Sequence, residues 1–229
     1  MDKKNIVILS GAGISAESGI KTFRDGDGLW ENHRIEEVAT YDAWLNNRDL
    51  VLEFYNQRRK QLLTCEPNDA HRQLVILEEK FNVQIITQNV DDLHERAGSK
   101  NVLHLHGELL KVRSTADERL VYDWKIDLVN GDKCEKQSQL RPHIVWFGEP
   151  VPMMDAAAKL AAKADIFIVI GTSLVVYPAA GLLHYTDYTV PKYVIDPNRP
   201  VVSNIQPIEY ITEKASIGVR KLVERLMVE

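Results

Sequence analysis

The stretch Ile6-Val7-Ile8-Leu9-Ser10-Gly11-Ala12-Gly13-Ile14-Ser15-Ala16 limits more than any other what this chain can fold into. Four consecutive aliphatic residues read as a strand buried on both faces, as in a parallel sheet. Gly11 and Gly13, with Ala16 three residues further on, predict that this strand turns tightly into a helix. The spacing fits the G-x-G-x-x-G/A fingerprint of dinucleotide folds, where glycines let the backbone approach a diphosphate and the first N–H groups of the helix bind it. An ordinary dehydrogenase fingerprint leads on to a second strand with an acidic residue about 20 residues downstream. Here the charged, turn-forming run Lys21-Thr22-Phe23-Arg24-Asp25-Gly26-Asp27-Gly28-Leu29-Trp30 follows, and no strand is predicted before Val83. Asp25 and Asp27 therefore cannot be the strand-end acid of a dehydrogenase, and the long inserted segment is expected to cover the nucleotide.

Downstream, strands alternate with helices, which predicts a doubly wound, Rossmann-like α/β sheet. Residues 42–63 read as one helix with Val51, Phe54, Arg58 and Leu62 on one face, and Tyr55 beside Arg58. An arginine in an apolar stripe either snorkels to water from its edge or needs an anionic partner. Pro67-Asn68-Asp69 starts a further helix, capped by Asn68 or Asp69. The strand Val83 to Thr87 then delivers Gln88, Asn89, Val90 and Asp91 at its carboxyl end, where open parallel sheets bind ligands. Helix capping would account for Asn89 or Asp91, but for only one of them.

Asn101 to Gly107 reads as an alternating strand with His104 and His106 on the same face. Two histidines there suggest acid–base work, and spacing does not choose between them. Residues 114–140 are polar and irregular, which predicts a small lobe rather than a linker. The main pattern resumes at Pro142 to Glu149, with a helix over about 153–163 and a buried strand Ile166 to Ile170 ending in Gly171-Thr172-Ser173. An alanine-rich helix start after Pro178, a strand Tyr193 to Ile195 ending at Asp196, and an amphipathic helix over 214–227 complete the reading.

At 229 residues, 45% apolar and 27% charged, the chain can bury one sizeable core, or a large domain with a small one inserted. A net charge of −5 gives no bulk attraction to nucleic acid or anionic membrane. The apolar run Ile6 to Leu9 is too short for a signal peptide, and no stretch is long enough to span a bilayer. Cys65 and Cys134 make no disulfide framework, so the expected compartment is the cytoplasm.

Taken together, Gly11-Ala12-Gly13-Ile14-Ser15 with Phe23-Arg24, Thr87-Gln88-Asn89-Val90-Asp91, His106-Gly107, Trp146-Phe147-Gly148-Glu149 and Gly171-Thr172-Ser173 resemble the successive motifs of the sirtuins, in that family's order and over nearly the whole chain. The resemblance implies an NAD-dependent protein lysine deacylase with a large Rossmann-like domain (about 1–24, 64–107 and 142–229) and a small domain from two insertions (about 25–63 and 108–141). It implies that Gly11, Ala12, Gly13, Ser15, Phe23, Arg24, Trp30, Val90, Gly171, Thr172, Ser173, Asp196 and Ala215 contact NAD. Gln88 and Asn89 would face the nicotinamide ribose, Asp91 the carboxamide, and His106 would be the general base beside Asn89. The acyl oxygen attacks the anomeric carbon as nicotinamide leaves, and the products are free lysine, nicotinamide and O-acyl-ADP-ribose. Acylated-lysine protein substrates would add as a strand between Gly148-Glu149 and Leu174 to Tyr177, touching Val145, Phe147 and Val175. Tyr55 and Arg58 match the Tyr-x-x-Arg pair of class III sirtuins, which recognise succinyl-, malonyl- and glutaryl-lysine. A guanidinium fork suits such a carboxylate.

Two departures from the family stand out. Sirtuins generally hold a structural zinc on four cysteines, whereas residues 108–141 contain only Cys134, and Ser114, Asp117 and Glu118 are poor substitutes for thiolates. No zinc is expected, and the lobe should pack around Leu120, Tyr122, Trp124 and Leu128. Asp196 stands where the family usually has asparagine. Beside the deacylase, a monomer in this reading, stand an NAD hydrolase or ADP-ribosyl transferase on the same fold, and an inactive NAD-sensing module.

Overall fold

The aliphatic run forms β1 (Asn5–Ser10), buried from Ile6 onward, and turns at Gly11 into α1, one turn over Ala12–Ser15. This is a computed structural model that describes residues 3–21, 29–30, 33–200 and 207–228. Contrary to expectation, strand pairing occurs before Val83: β2 (Leu29–Trp30) and β3 (His33–Arg34) form a two-residue antiparallel hairpin. Strands so short carry no period to read. After α2 (Ile35–Val38), the helix expected over 42–63 is two, α3 (Tyr41–Asn46) and α4 (Arg48–Thr64). Asn47 leaves helical backbone between them, and its side chain accepts from the Leu50 amide to cap α4.

Asn68 caps α5 (Asp69–Leu77), its Oδ1 accepting from the Ala70 amide at 2.9 Å. Then come β4 (Asn82–Thr87), α6 (Leu93–Ala97) and β5 (Val102–His104). The strand expected to reach Gly107 stops at His104, and Gly107 opens β6 (Gly107–Ser114) with φ at +82°. A side chain there would collide with the His143 carbonyl, so the turn requires glycine. β6 pairs antiparallel with β7 (Val121–Asp123) and β8 (Leu140–Ile144). The chain closes through α7 (Met154–Ala161), β9 (Ile166–Ile170), β10 (Lys192–Ile195), β11 (Ile208–Ile211) and α8 (Ala215–Val228). The segment after Pro178 is a 3₁₀ helix, Ala179–Tyr185, not an α-helix.

The main sheet is parallel, in the order β11-β10-β9-β1-β4-β5. From β1 the chain moves outward to β4 and β5, then crosses back to β9 and continues the other way. A crevice therefore opens between β1 and β9 at their carboxyl ends. The register makes those ends level: Ser10 pairs with Thr87 and with Ile170, Ile170 with Ile195, and Thr87 with His104. The residues that follow, Gly11, Gln88, Gly171 and Asp196, thus emerge along one rim.

Alternation along β1 splits the core. Ile6 and Ile8 face Leu74, Leu77, Val219 and Leu222 of α5 and α8, whereas Val7 and Leu9 face Ala157 and Ala161 of α7. A third apolar cluster joins α2–α4 to β6 and β8 through Trp44, Phe54, Leu62, Leu109 and Trp146. Leu128 is buried in it, while Leu120, Tyr122 and Trp124 pack at its margin. Among the described residues no helix is long and apolar enough to cross a membrane.

Where β1 meets α1 the glycines have a packing role. A Cβ on Gly13 would lie 2.6 Å from the Gly171 Cα, and one on Gly11 2.7 Å from the Thr172 Cβ. Backbone on both sides cannot yield as a flexible side chain would. Gly13→Ala is expected to destabilise the protein by about 2 kcal/mol, read as a lower midpoint in urea denaturation. An unchanged midpoint would mean that the two turns can separate.

Candidate active site

A cavity of about 820 Å³ lies over the rim, between the parallel sheet and the third apolar cluster. Gly11, Ala12, Gly13, Gln88, Asn89, Val90, Asp91, Gly171, Thr172, Ser173, Asp196 and Ala215 line it, from α1, α8 and the loops after β1, β4, β9 and β10. His106, Tyr55, Arg58, Val145, Phe147, Gly148, Glu149 and Val175 line its other side. Phe23 and Arg24 lie outside the described residues, and of Trp30 only the backbone is described.

The loop after β1 departs from the expected anion cradle. The amide of Gly11 donates to Ile170 O at 2.9 Å, that of Gly13 to Gly171 O at 2.8 Å, and that of Ile14 to Gly11 O at 3.1 Å. Two N–H groups of the glycine loop thus hold the neighbouring turn, and a third closes the loop on itself. Cations near this end come instead from Lys21 and Lys214, which line the cavity and which the sequence reading did not pick out. Asn198 was missed as well; it follows Asp196 in a turn at a strand end, a signal the sequence did carry.

Ser15 does not line the cavity. It is fully buried, and its hydroxyl donates to Asp91 Oδ2 at 3.0 Å while accepting from Asn89 Nδ2 at 3.1 Å. The second amide proton of Asn89 goes to Gly11 O at 3.2 Å, so Asn89 presents its carbonyl oxygen to a ligand. Asp91 Oδ1 caps α6 by accepting from the Leu93 amide. Burial pushes the Asp91 carboxyl up to about 6, against the bonds from Leu93 and Ser15. Gln88 donates to Thr172 Oγ1 at 3.2 Å, joining β4 to the turn after β9 across the crevice.

Geometry separates the two histidines. His106 lines the cavity, and its Nδ1 lies 3.0 Å from Gln88 O. A carbonyl only accepts, so Nδ1 holds the proton and the lone pair stays on Nε2. Burial lowers its pKa and keeps the ring neutral. His104 turns away, toward Asn89 O and Glu95.

On the lobe side, Tyr55 and Arg58 are 1% and 8% exposed, one helical turn apart on α4. Tyr55 Oη accepts from Trp146 Nε1 at 3.0 Å, which leaves its own proton to donate. Burial raises the phenol well above its ordinary value, so it stays protonated. Arg58 lies 5.6 Å over the Phe54 ring. Glu149 differs from a free substrate ligand: its carboxylate takes both Nη groups of Arg141, at 2.7 and 3.0 Å, and the Trp146 amide at 2.8 Å.

Candidate zinc ligands in the lobe are engaged otherwise. Cys134 Sγ donates to Ser114 Oγ at 3.2 Å, and Asp117 is bonded to Arg119 and Lys136. Among the described residues no group of three or more His, Cys, Asp or Glu is placed to hold a metal. Arg59 binds the lobe instead, donating to Leu109 O and to Asn56, whose amide in turn bonds Leu128 O. Metal analysis of the purified protein is expected to find no stoichiometric zinc, and one equivalent would refute this reading.

The cavity fits a dinucleotide in size, and in a donor set of amides, carboxylates, hydroxyls and a neutral imidazole. Residues 11–178 match the Sir2 family. The NAD-dependent protein deacylase of Helicobacter pylori (strain ATCC 700392 / 26695) is 55% identical over 224 residues, covering 98% of each chain. That of Bacteroides thetaiotaomicron is 50% identical over 230 residues, again covering 98% of each. A solved Sir2 homologue–NAD complex superposes with a TM-score of 0.88 at 39% identity, covering 99% of this chain and 90% of its own. A Sir2 homologue mutant with ADP-ribose gives 0.90 at 39%, covering 99% and 93%.

Proposed function

Because the chain belongs to the Sir2 family, the sirtuins, and is an NAD-dependent protein deacylase, we propose that its acyl pocket selects lysines carrying acidic acyl groups. The observation that carries this reading is the buried Tyr55–Arg58 pair on the cavity wall, with the Tyr55 hydroxyl oriented by Trp146. A guanidinium and a phenol O–H at the end of the acyl channel meet a carboxylate of succinyl-, malonyl- or glutaryl-lysine. An acetyl group is accommodated there without using them.

NAD, when bound, would supply the anomeric carbon to which the acyl group is transferred, with nicotinamide as the leaving group and a water required to free the lysine. The chain's own residues hold it. Asn89 accepts from a ribose hydroxyl through Oδ1, Asp91 accepts from the carboxamide, and Ser15 fixes both side chains from behind. His106 takes a ribose hydroxyl proton on Nε2. Gln88, Gly171, Thr172, Ser173, Asp196 and Ala215 complete the wall, with Phe23, Arg24 and Trp30 assigned from the family motif. The peptide main chain runs between Gly148-Glu149 and Val175, and backbone pairing there gives loose sequence selectivity. The net charge of −5 supports action on protein rather than nucleic acid, and the chain is taken to act as a monomer. Two free, buried cysteines suit the cytoplasm.

The base must be neutral, and burial lowers its pKa. The acid limb of kcat/KM is therefore expected to have its midpoint below 6.5, read from a profile over acid to neutral pH. A midpoint above that value would remove His106 as the base. The acyl preference is tested by mass spectrometry on one peptide carrying acetyl- or succinyl-lysine, with and without NAD. Faster NAD-dependent loss of succinyl, with O-succinyl-ADP-ribose appearing, is the expected result. Loss of acetyl alone refutes the preference.

A further inference from the structure

His104 lies half-buried next to the turn that carries Asn89, yet the roles assigned above do not use it. It closes β5, and its ring is 8% exposed. Nδ1 lies 3.0 Å from the carbonyl oxygen of Asn89, and Nε2 2.8 Å from Oε1 of Glu95 on α6. A carbonyl oxygen cannot donate, so Nδ1 carries a proton. The proton between Nε2 and Glu95 belongs to the stronger base, and imidazole exceeds a carboxylate by about two pH units in water. Both ring nitrogens therefore donate at once, which only the charged ring can do.

We propose that His104 is held as an imidazolium and is a positioning residue, its two N–H groups tying the main chain at Asn89 to Glu95 and so fixing the turn that carries Gln88, Asn89 and Asp91. The proposal rests on the assignment of Asn89 to the ribose. Its surroundings favour the charge. Glu95 and His94 face the ring from α6, Asp91 from the turn itself and Glu108 from β6, with Lys111 paired to Glu108 at 2.9 Å. Three of these groups are carboxylates, and burial keeps His94 neutral. Burial also opposes charge on His104, but the bond and field of Glu95 outweigh it and raise the ring above its ordinary value. The clamp is thus complete at acid and neutral pH and is lost as pH rises through that raised value. Its loss adds an alkaline limb to kcat.

The test is side-chain ¹⁵N NMR of the labelled full chain, together with pH profiles of deacetylation. Both nitrogens of His104 are expected to show imidazolium shifts at pH 7, and Glu95→Gln should move this titration and the alkaline limb of kcat down together by about one pH unit. His104→Gln should lower kcat about 10-fold, with KM for the peptide held within about twofold. A neutral ring at pH 7, or a Glu95→Gln protein with both titrations unmoved, overturns the proposal while leaving Asn89 assigned. Full activity in Asn89→Ala overturns the ribose assignment, and the positioning role with it, even where the ring is charged.

Discussion

Arg58→Met is expected to lower kcat/KM on succinyl-lysine peptide about 100-fold, a loss of ~3 kcal/mol, while acetyl-lysine peptide stays within about threefold. The asymmetry follows from where the side chain sits. Arg58 is 8% exposed on the cavity wall, so a carboxylate arriving there leaves most of its water behind. With the guanidinium present, a charge-assisted pair compensates for that desolvation; with methionine, an unpaired carboxylate would have to be buried. An acetyl methyl group carries no such requirement. Arg58→Lys should fall between, because a lysine keeps the charge but not the fork. Matched steady-state assays on the two peptides decide the matter, and equal loss on both would mean that Arg58 holds α4 in place rather than reading the acyl group.

The second large effect is expected at Glu149, and on stability. Burial alone would raise its carboxyl, but the bonds from Arg141 and the Trp146 amide outweigh it and hold the group below its ordinary value. Arg113 approaches the same carboxylate at 3.5 Å, and the Arg141 guanidinium stacks 3.5 Å over the Trp146 ring. Glu149→Ala would leave two arginines with 7% and 5% side-chain exposure facing each other without their anion. Removing one partner of such a cluster costs about 3–5 kcal/mol, or roughly 10 °C in Tm for a chain of this size. Trp146 orients Tyr55, so desuccinylation should fall more than deacetylation. Thermal denaturation of Glu149→Ala and Glu149→Gln checks this. A Tm unchanged in both would show that the arginines find other partners.

The parts of the site that follow from strand order were legible in the sequence. Ile6 to Leu9 and Ile166 to Ile170 had to be buried strands, so Gly11 and Gly171 had to lie at their ends. The Gln88–Asp91 run was placed in the same way. Three-dimensional partners were not legible. Spacing could not separate His104 from His106, because the choice depends on which ring meets Gln88 O and which meets Asn89 O. Arg59 passed unnoticed beside Arg58, since two of its acceptors are main-chain carbonyls about 50 and 67 residues away and the third, Asn56, is a polar residue on the same helix. The break at Asn47 did carry a local signal, an asparagine before a helix start, but the stripe that defined the helix begins only at Val51 and does not test the residues before it.

The contact between Gly13 and Gly171 bears on how a bulky ligand enters. With backbone against backbone and no space for a methyl group, the two halves of the crevice are welded at the floor. A weld cannot act as a hinge. Any opening that admits a dinucleotide is therefore expected at the roof, where the helical lobe meets the rim, with the floor around Gly13 and Gly171 keeping its shape.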